Sequence, residues 1–149
     1  MTLVIHIDGG ARGNPGPAGF GVHVASPDGS PVAEIYGFLG IQTNNVAEYS
    51  ALIAALRYAI EAGARSVKIR SDSELLVKQI HGEYRVKSPG LAPLYQEALR
   101  LKRGLPRVTL EHVRRALNKE ADALANRAMD TRSEDPPGVT SGLPLPAVP

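Results

Sequence analysis

Apolar residues in this chain gather in short runs separated by turn-forming residues. Leu3 to Asp8 is apolar, rich in β-branched side chains, and stops at Asp8-Gly9-Gly10, so a first strand is expected there. Arg12-Gly13-Asn14-Pro15-Gly16-Pro17 is a turn-rich loop. Phe20 to Ala25 and Val32 to Leu39 read as strands two and three. The hairpin signal Ser26-Pro27-Asp28-Gly29-Ser30 between them makes the pair antiparallel. Thr43-Asn44-Asn45 offers several N-cap side chains. A strongly apolar helix follows over 46–62, with Tyr49, Ile53, Leu56 and Ile60 at helical spacing toward the sheet and Gly63 as C-cap. Ser66 to Ser71 is the fourth strand, and Ser73 to Ile80 a short helix. After the Pro89-Gly90 break, Leu91 to Arg103 forms another helix, Arg107 to Val113 a fifth strand, and Asn118 to Met129 a last helix with Ala121, Leu124, Ala125 and Ala128 inward.

Strands and helices in this order predict an α/β fold. Strands one to three form a meander, so one and three point the same way. The helix after strand three runs back, and a right-handed crossover lays strand four parallel to strand one. Strand five is expected to run parallel as well. At 149 residues the chain fits one domain with a real core. That domain is expected over 1–129. Beyond Met129 the composition shifts, with Pro136, Pro137, Pro144, Pro146 and Pro149 crowding a tail over 130–149 that reads as extended and poorly packed. Val139, Leu143, Leu145 and Val148 are the side chains in it able to dock on the domain.

Charge and composition narrow the chemistry. A net charge of +2 and a pI of about 9.0 permit nucleic-acid binding without requiring it. No cysteine is present, which excludes disulfides, zinc–thiolate sites and thiol nucleophiles and suits a reducing cytoplasm. The N-terminus reads as a strand rather than a signal peptide, and no run is long and apolar enough to span a membrane.

Four carboxylates follow from the topology. Asp8 and Asp72 end neighbouring parallel strands, and Glu48 lies in the first turn of the crossover helix. Asp122 lies early in the helix after strand five. All four fall outside the carboxyl ends of the strands, where open α/β sheets bind ligands. Each has a bland reading: a turn opener for Asp8, a capping-box glutamate three residues after Asn45 for Glu48, an N-cap for Asp72, and dipole complementation for Asp122. Packing alone does not choose their convergence. Four like charges at one edge call for a cation, and oxygen-only ligands suit Mg²⁺ or Mn²⁺. Two such ions, completed by substrate phosphate, suit phosphodiester hydrolysis. His6, His23, His81 and His112 show no zinc-ligand spacing.

With those residues identified, the chain resembles ribonuclease H of type 1. The matching segments are Asp8 to Gly19, Thr43 to Tyr49, Ser71 to Gln79 and Asn118 to Ala125, in the family's order and with similar spacing, across about Thr2 to Met129. The resemblance implies an RNase H-like fold, a five-stranded mixed sheet flanked by helices. It implies endonucleolytic cleavage of the RNA strand of an RNA–DNA hybrid, leaving 5′-phosphate and 3′-hydroxyl ends. Asp8, Glu48, Asp72 and Asp122 match the family's metal-binding catalytic carboxylates. Asn14, beside Gly13, and Asn44 and Asn45 match its contacts to sugars and bases, and Thr43 its DNA-phosphate contact. Turn and cap chemistry accounts for these polar residues equally well.

Three departures stand out. Glu74 occupies a substrate-contact position where the family often has glutamine, and either repels substrate or caps its helix with Ser71. The link from His81 to Pro93 is too short for the basic protrusion of well-studied bacterial members. Arg114 and Arg115 stand where those members carry a mobile histidine, and Arg115 is the better candidate for phosphate handling. His112, on its strand, reads as structural. The leading expectation is an active, monomeric, hybrid-specific nuclease. The alternatives are a catalytically weak hybrid- or duplex-binding module of the same fold, and a nuclease that also cuts double-stranded RNA.

Overall fold

A computed structural model describes residues 1–147; Val148 and Pro149, the former a docking candidate above, lie outside the described residues. Five strands, β1 (Thr2–Ala11), β2 (Gly16–Ala25), β3 (Pro31–Gln42), β4 (Ser66–Ser71) and β5 (Arg107–His112), form one sheet in the order β3-β2-β1-β4-β5. The first three pair antiparallel, and β1, β4 and β5 run parallel. The helices are α1 (Asn44–Glu61), α2 (Glu74–Ile80), α3 (Ala92–Arg103) and α4 (Lys119–Thr131), with a 3-10 turn at Arg115–Leu117 that the sequence pattern did not announce.

Strand alternation divides the sheet. Leu3, Ile5 and Ile7 of β1 and Phe20, Val22 and Val24 of β2 are fully buried in the core. The residues between them, Asp8 paired with Gly21 and His6 paired with His23, point to the other face. Helix α1 packs on β1 and α3 against α1, while α4 packs on β2, β1 and β3. Tyr49, Ile53 and Leu56 are buried as expected, but Ile60 is exposed, beside Gly104 at the end of α3.

β1, β2 and β3 extend further than the apolar runs suggested, through segments rich in glycine. Two of those glycines permit close approach. A Cβ on Gly9 would lie 2.3 Å from the Ala47 carbonyl carbon, and one on Gly21 would lie 2.3 Å from the Ala121 oxygen. Helix α1 therefore presses onto β1, and α4 onto β2, backbone against backbone.

The tail is neither extended nor poorly packed. Asp135 forms a two-bond antiparallel bridge with Tyr36, covering part of the outer edge of β3. The Glu134 carboxylate accepts from the Gly138 and Thr140 amides and the Thr140 hydroxyl. Val139, Leu143 and Leu145 pack against the core, and Arg57 of α1 donates to the carbonyls of Ser141 and Gly142. Proline-rich composition misled because these partners are distant in sequence.

Candidate active site

The parallel register sets the first two carboxylates side by side. Ile7 pairs with Ser71, so Asp8 on β1 and Asp72, just past the end of β4, come next on neighbouring chain segments. The close approach at Gly9 brings α1, and with it Glu48, against the end of β1. Carboxylate oxygens of Asp8, Glu48 and Asp72 all lie within 4.8 Å of one another. Asp122 joins through α4, whose contact at Gly21 lies opposite Asp8 on the adjacent strand. Its side chain lines the same cleft as the other three, outside the tight group that they form. Asp122 itself is exposed.

Local structure disposes of three bland readings. The N-cap of α1 is Thr43, whose hydroxyl accepts from the Val46 amide at 3.3 Å, so Glu48 sits beyond the first turn and outside any capping box. The cap of α2 is Ser73 rather than Asp72. Asp8 opens no turn, since β1 continues to Ala11. Asp122 does lie in the first turn of α4, where its charge also complements the dipole.

Electrostatics record the crowding. Burial, then the charge of Asp72 and the contact with Asp122, push the Asp8 carboxyl up to about 8. Burial, followed by the charges of Asp8 and Asp72, pushes Glu48 well above the ordinary glutamate range. Glu48 is only 7% exposed, and its Oε1 has no hydrogen-bond partner. A buried oxygen without a donor, facing two more carboxylates, fits a cation ligand. The donor set is all oxygen, which fits Mg²⁺ or Mn²⁺.

The four carboxylates open onto a cleft of about 440 Å³ that Arg115, Asn44, Asn45 and Ser73 also line. Arg115 reaches it from the 3-10 turn. Asn14 and Asn44 are interlocked: Asn14 Oδ1 accepts from the Asn44 amide at 3.0 Å, and Asn44 Oδ1 accepts from the Ala11 amide at 2.8 Å. Each spends its oxygen inside the protein, which leaves its NH₂ group to donate outward. Asn14, Thr43, Asn44 and Asn45 line a second cleft that shares Asn44 and Asn45 with the first. Gly13, at φ 97° in the β1–β2 turn, and Glu74 line neither cleft. Glu74 is exposed on the first turn of α2 and pairs with Lys78 at 2.8 Å, so it does not cap the helix with Ser71, whose hydroxyl serves the Ser73 amide. His112 is exposed on β5 rather than part of the core.

Two supporting hydrogen bonds escaped the sequence reading. Asn118 is fully buried, and its Nδ2 donates to the Ile7 carbonyl at 2.8 Å, tying the start of α4 to β1 one residue before Asp8. Tyr49 donates to Gln79 Oε1 at 2.8 Å inside the core and joins α1 to α2 behind Glu48 and Asp72. A polar residue at a helix start was the only signal for Asn118, which the sequence reading took simply as the first residue of the last helix.

Comparison with known proteins adds three likenesses to a family match. A family model described as reverse transcriptase-like matches residues 6–128. The bifunctional protein Rv2228c of Mycobacterium tuberculosis is 47% identical over 135 residues, covering 90% of this chain and 37% of that protein. Ribonuclease HI of Halobacterium salinarum is 45% identical over 125 residues, covering 84% of this chain and 63% of that protein. The chain thus spans about a third to under two-thirds of the length of these curated relatives. The crystal structure of LC11-RNase H1 in complex with an RNA/DNA hybrid superposes with a TM-score of 0.83 at 41% identity, covering 87% of this chain and 98% of that one.

Proposed function

The chain belongs to the reverse transcriptase-like family, among its ribonuclease HI members, and from that membership we propose that it hydrolyses the RNA strand of RNA–DNA hybrids in a metal-dependent endonucleolytic reaction. The observation that carries this reading is the four-carboxylate cleft with the unpartnered Glu48 oxygen at its base. Water attacks phosphorus, the bond to the 3′-oxygen breaks, and the products keep a 5′-phosphate and a 3′-hydroxyl. Asp8, Glu48, Asp72 and Asp122 would hold two divalent cations, Mg²⁺ or Mn²⁺, which would supply charge stabilisation to the attacking and leaving oxygens.

The remaining groups orient and recognise. Glu48, buried and fixed by the Gly9–Ala47 contact, sets the inner wall against which the other carboxylates are placed. Arg115, at the exposed rim, pairs with a phosphate near the scissile bond. Asn14, Asn44 and Asn45 present amide donors to a minor groove that displays 2′-hydroxyls, a feature only the RNA strand provides. Action in the cytoplasm, which the absence of cysteine suits, and as a monomer completes the proposal.

The test compares cleavage of labelled hybrid, duplex RNA and duplex DNA with Mg²⁺, Mn²⁺ or EDTA. Metal-dependent nicking of hybrid RNA alone is the expected result, and Asp8→Asn is expected to abolish it while hybrid binding persists. Binding without cleavage in either metal would replace the nuclease by a binding module. Cutting of duplex RNA would widen the substrate class. Wild-type turnover by Asp8→Asn would remove the carboxylate assignment.

A further inference from the structure

We propose that Arg12, acting through Asn126, is a positioning residue for Asp122: it clamps α4 to the β1–β2 turn and so sets how far the fourth carboxylate stands from the other three. This rests on the nuclease reading and adds to it a residue outside the reacting centre. Asp122 is the carboxylate least fixed by its own surroundings. It is exposed, and it lies outside the group formed by Asp8, Glu48 and Asp72. Its place therefore follows from how α4 lies on the sheet. Asn118 pins the start of that helix to the Ile7 carbonyl, and Ala121 and Ala128 seat it on Gly21 and Gly19. Contacts between alanine and glycine are close but smooth, and apolar contact has no preferred direction. They set the height of α4 above the sheet more firmly than its roll about its own axis, and roll is what swings Asp122.

On the cleft side the directional tie is Arg12. Its Nη2 donates to Asn126 Oδ1 at 3.2 Å and to Asp130 Oδ1 at 2.7 Å. Asn126 stands one turn after Asp122, and its Nδ2 donates to the Asp122 carbonyl at 3.0 Å. One side chain thus separates the guanidinium from the backbone of Asp122. The arginine has a firm footing of its own. Its amide donates to the Pro17 carbonyl at 2.9 Å, and a Cβ on Gly16 would stand 2.1 Å from its carbonyl oxygen, so the turn is closed backbone to backbone. Arg12 and Arg115 both line the catalytic cleft. Arg12 commits its charge to two acceptors on α4. An ion pair whose side chains are 47% and 63% exposed contributes little to stability. The value of this one lies in geometry instead.

The experiment measures hybrid cleavage in Mn²⁺, and Mn²⁺ binding by calorimetry, for Arg12→Met, Asn126→Leu, Asp122→Asn and the two doubles with Asp122→Asn. Asn126→Leu breaks the relay and keeps the arginine's charge. Arg12→Met and Asn126→Leu are each expected to lower kcat about tenfold, short of the roughly hundredfold that a 1 Å misplacement can cost. KM for hybrid and the melting temperature should stay nearly unchanged. Mn²⁺ affinity is expected to fall about threefold in both. On the Asp122→Asn background neither substitution should weaken Mn²⁺ further, because positioning then has no carboxylate to act on. A raised KM at unchanged kcat would make Arg12 a substrate contact and overturn the proposal. Full additivity with Asp122→Asn would overturn it as well. So would wild-type kcat in Asn126→Leu beside a loss in Arg12→Met, which would assign the effect to charge alone. A lower melting temperature with kcat and Mn²⁺ affinity intact would leave a structural role only and equally end it. Absence of cleavage by the intact chain would defeat the nuclease reading separately, and the calorimetric comparison, which needs no turnover, would still decide the role of Arg12.

Discussion

Replacing Asp8 by asparagine should stabilise the metal-free protein while destroying the site. In the folded state burial and the neighbouring Asp72 and Asp122 hold the Asp8 carboxyl at about 8, against 3.8 for an ordinary aspartate. A folded value above the unfolded one means that the folded state binds the extra proton. Stability from this group is therefore complete below pH 4 and falls as pH rises, levelling off above pH 8. Each pH unit in that window is worth about 1.4 kcal/mol, so the liability at pH 7 approaches ~4 kcal/mol as an upper bound. Water entering the cleft and relaxation of the exposed Asp122 reduce it, and a gain on the order of 2–3 kcal/mol for Asp8→Asn is expected. For a chain of this length that corresponds to a rise of roughly 5–10 °C in melting temperature. The assay is urea or thermal unfolding of both proteins in EDTA from pH 5 to 9. The variant's advantage should grow with pH up to about 8 and then flatten. Saturating Mg²⁺ should shrink or reverse it, because a cation at 100 times its Kd adds about 2.7 kcal/mol to the protein that binds it. A variant no more stable than wild type in EDTA at pH 8, or an advantage independent of pH, would refute the crowding account.

Three further outcomes follow from the same geometry. Gly9→Ala should destabilise by more than about 3 kcal/mol in urea unfolding and lose cleavage, since the new methyl would occupy the Ala47 backbone; Gly10→Ala, with only the Asn44 oxygen 4.0 Å away, should be tolerated. Ending the chain at Thr131 should lower stability by roughly 1–3 kcal/mol, through loss of the partly buried Val139, Leu143 and Leu145, as read by thermal melting. Hybrid affinity should fall with salt by about 0.9 in log K per log unit for each phosphate neutralised. The bare 81–91 link carries only Arg85 and Lys87 as cations, so a total slope near −10 would disprove the small ionic footprint.

The framework was legible because each apolar run met one partner face. Leu3, Ile5 and Ile7 belong to an apolar, β-branched run and landed in the core, and Ser66–Ser71 has the expected bounds. Strand ends were legible least where glycines lie. Gly9 looked like a breaker, yet it is a strand residue, and like Gly21, already expected inside the second strand, it lacks a side chain so that a helix can reach the sheet. The carboxylates were legible as an edge cluster because topology alone brings Asp8 and Asp72 together. Their burial was not: nothing in the pattern around Glu48 distinguished a solvated first-turn glutamate from one 7% exposed. Glu74 shows the converse. Its sequence position suggested a substrate contact, but its side chain turns along the helix to Lys78, a local pairing that spacing of four residues offers freely.

The tail and the glycines share a physical logic that bears on the site. Carboxylates held against one another in a metal-free fold repel, so other interactions must hold them in place. The backbone contact at Gly9 fixes Glu48, that at Gly21 fixes the α4 turn carrying Asp122, and Asn118 ties that turn to the Ile7 carbonyl. Two of these are backbone approaches and the third uses a fully buried side chain, so the cluster has little freedom to relax by spreading. The outer elements complete the restraint, with Tyr49 locked to Gln79 behind the cleft and the tail strapped over α1 through Arg57. The same rigid contacts would let the four acids receive a cation with little reorganisation.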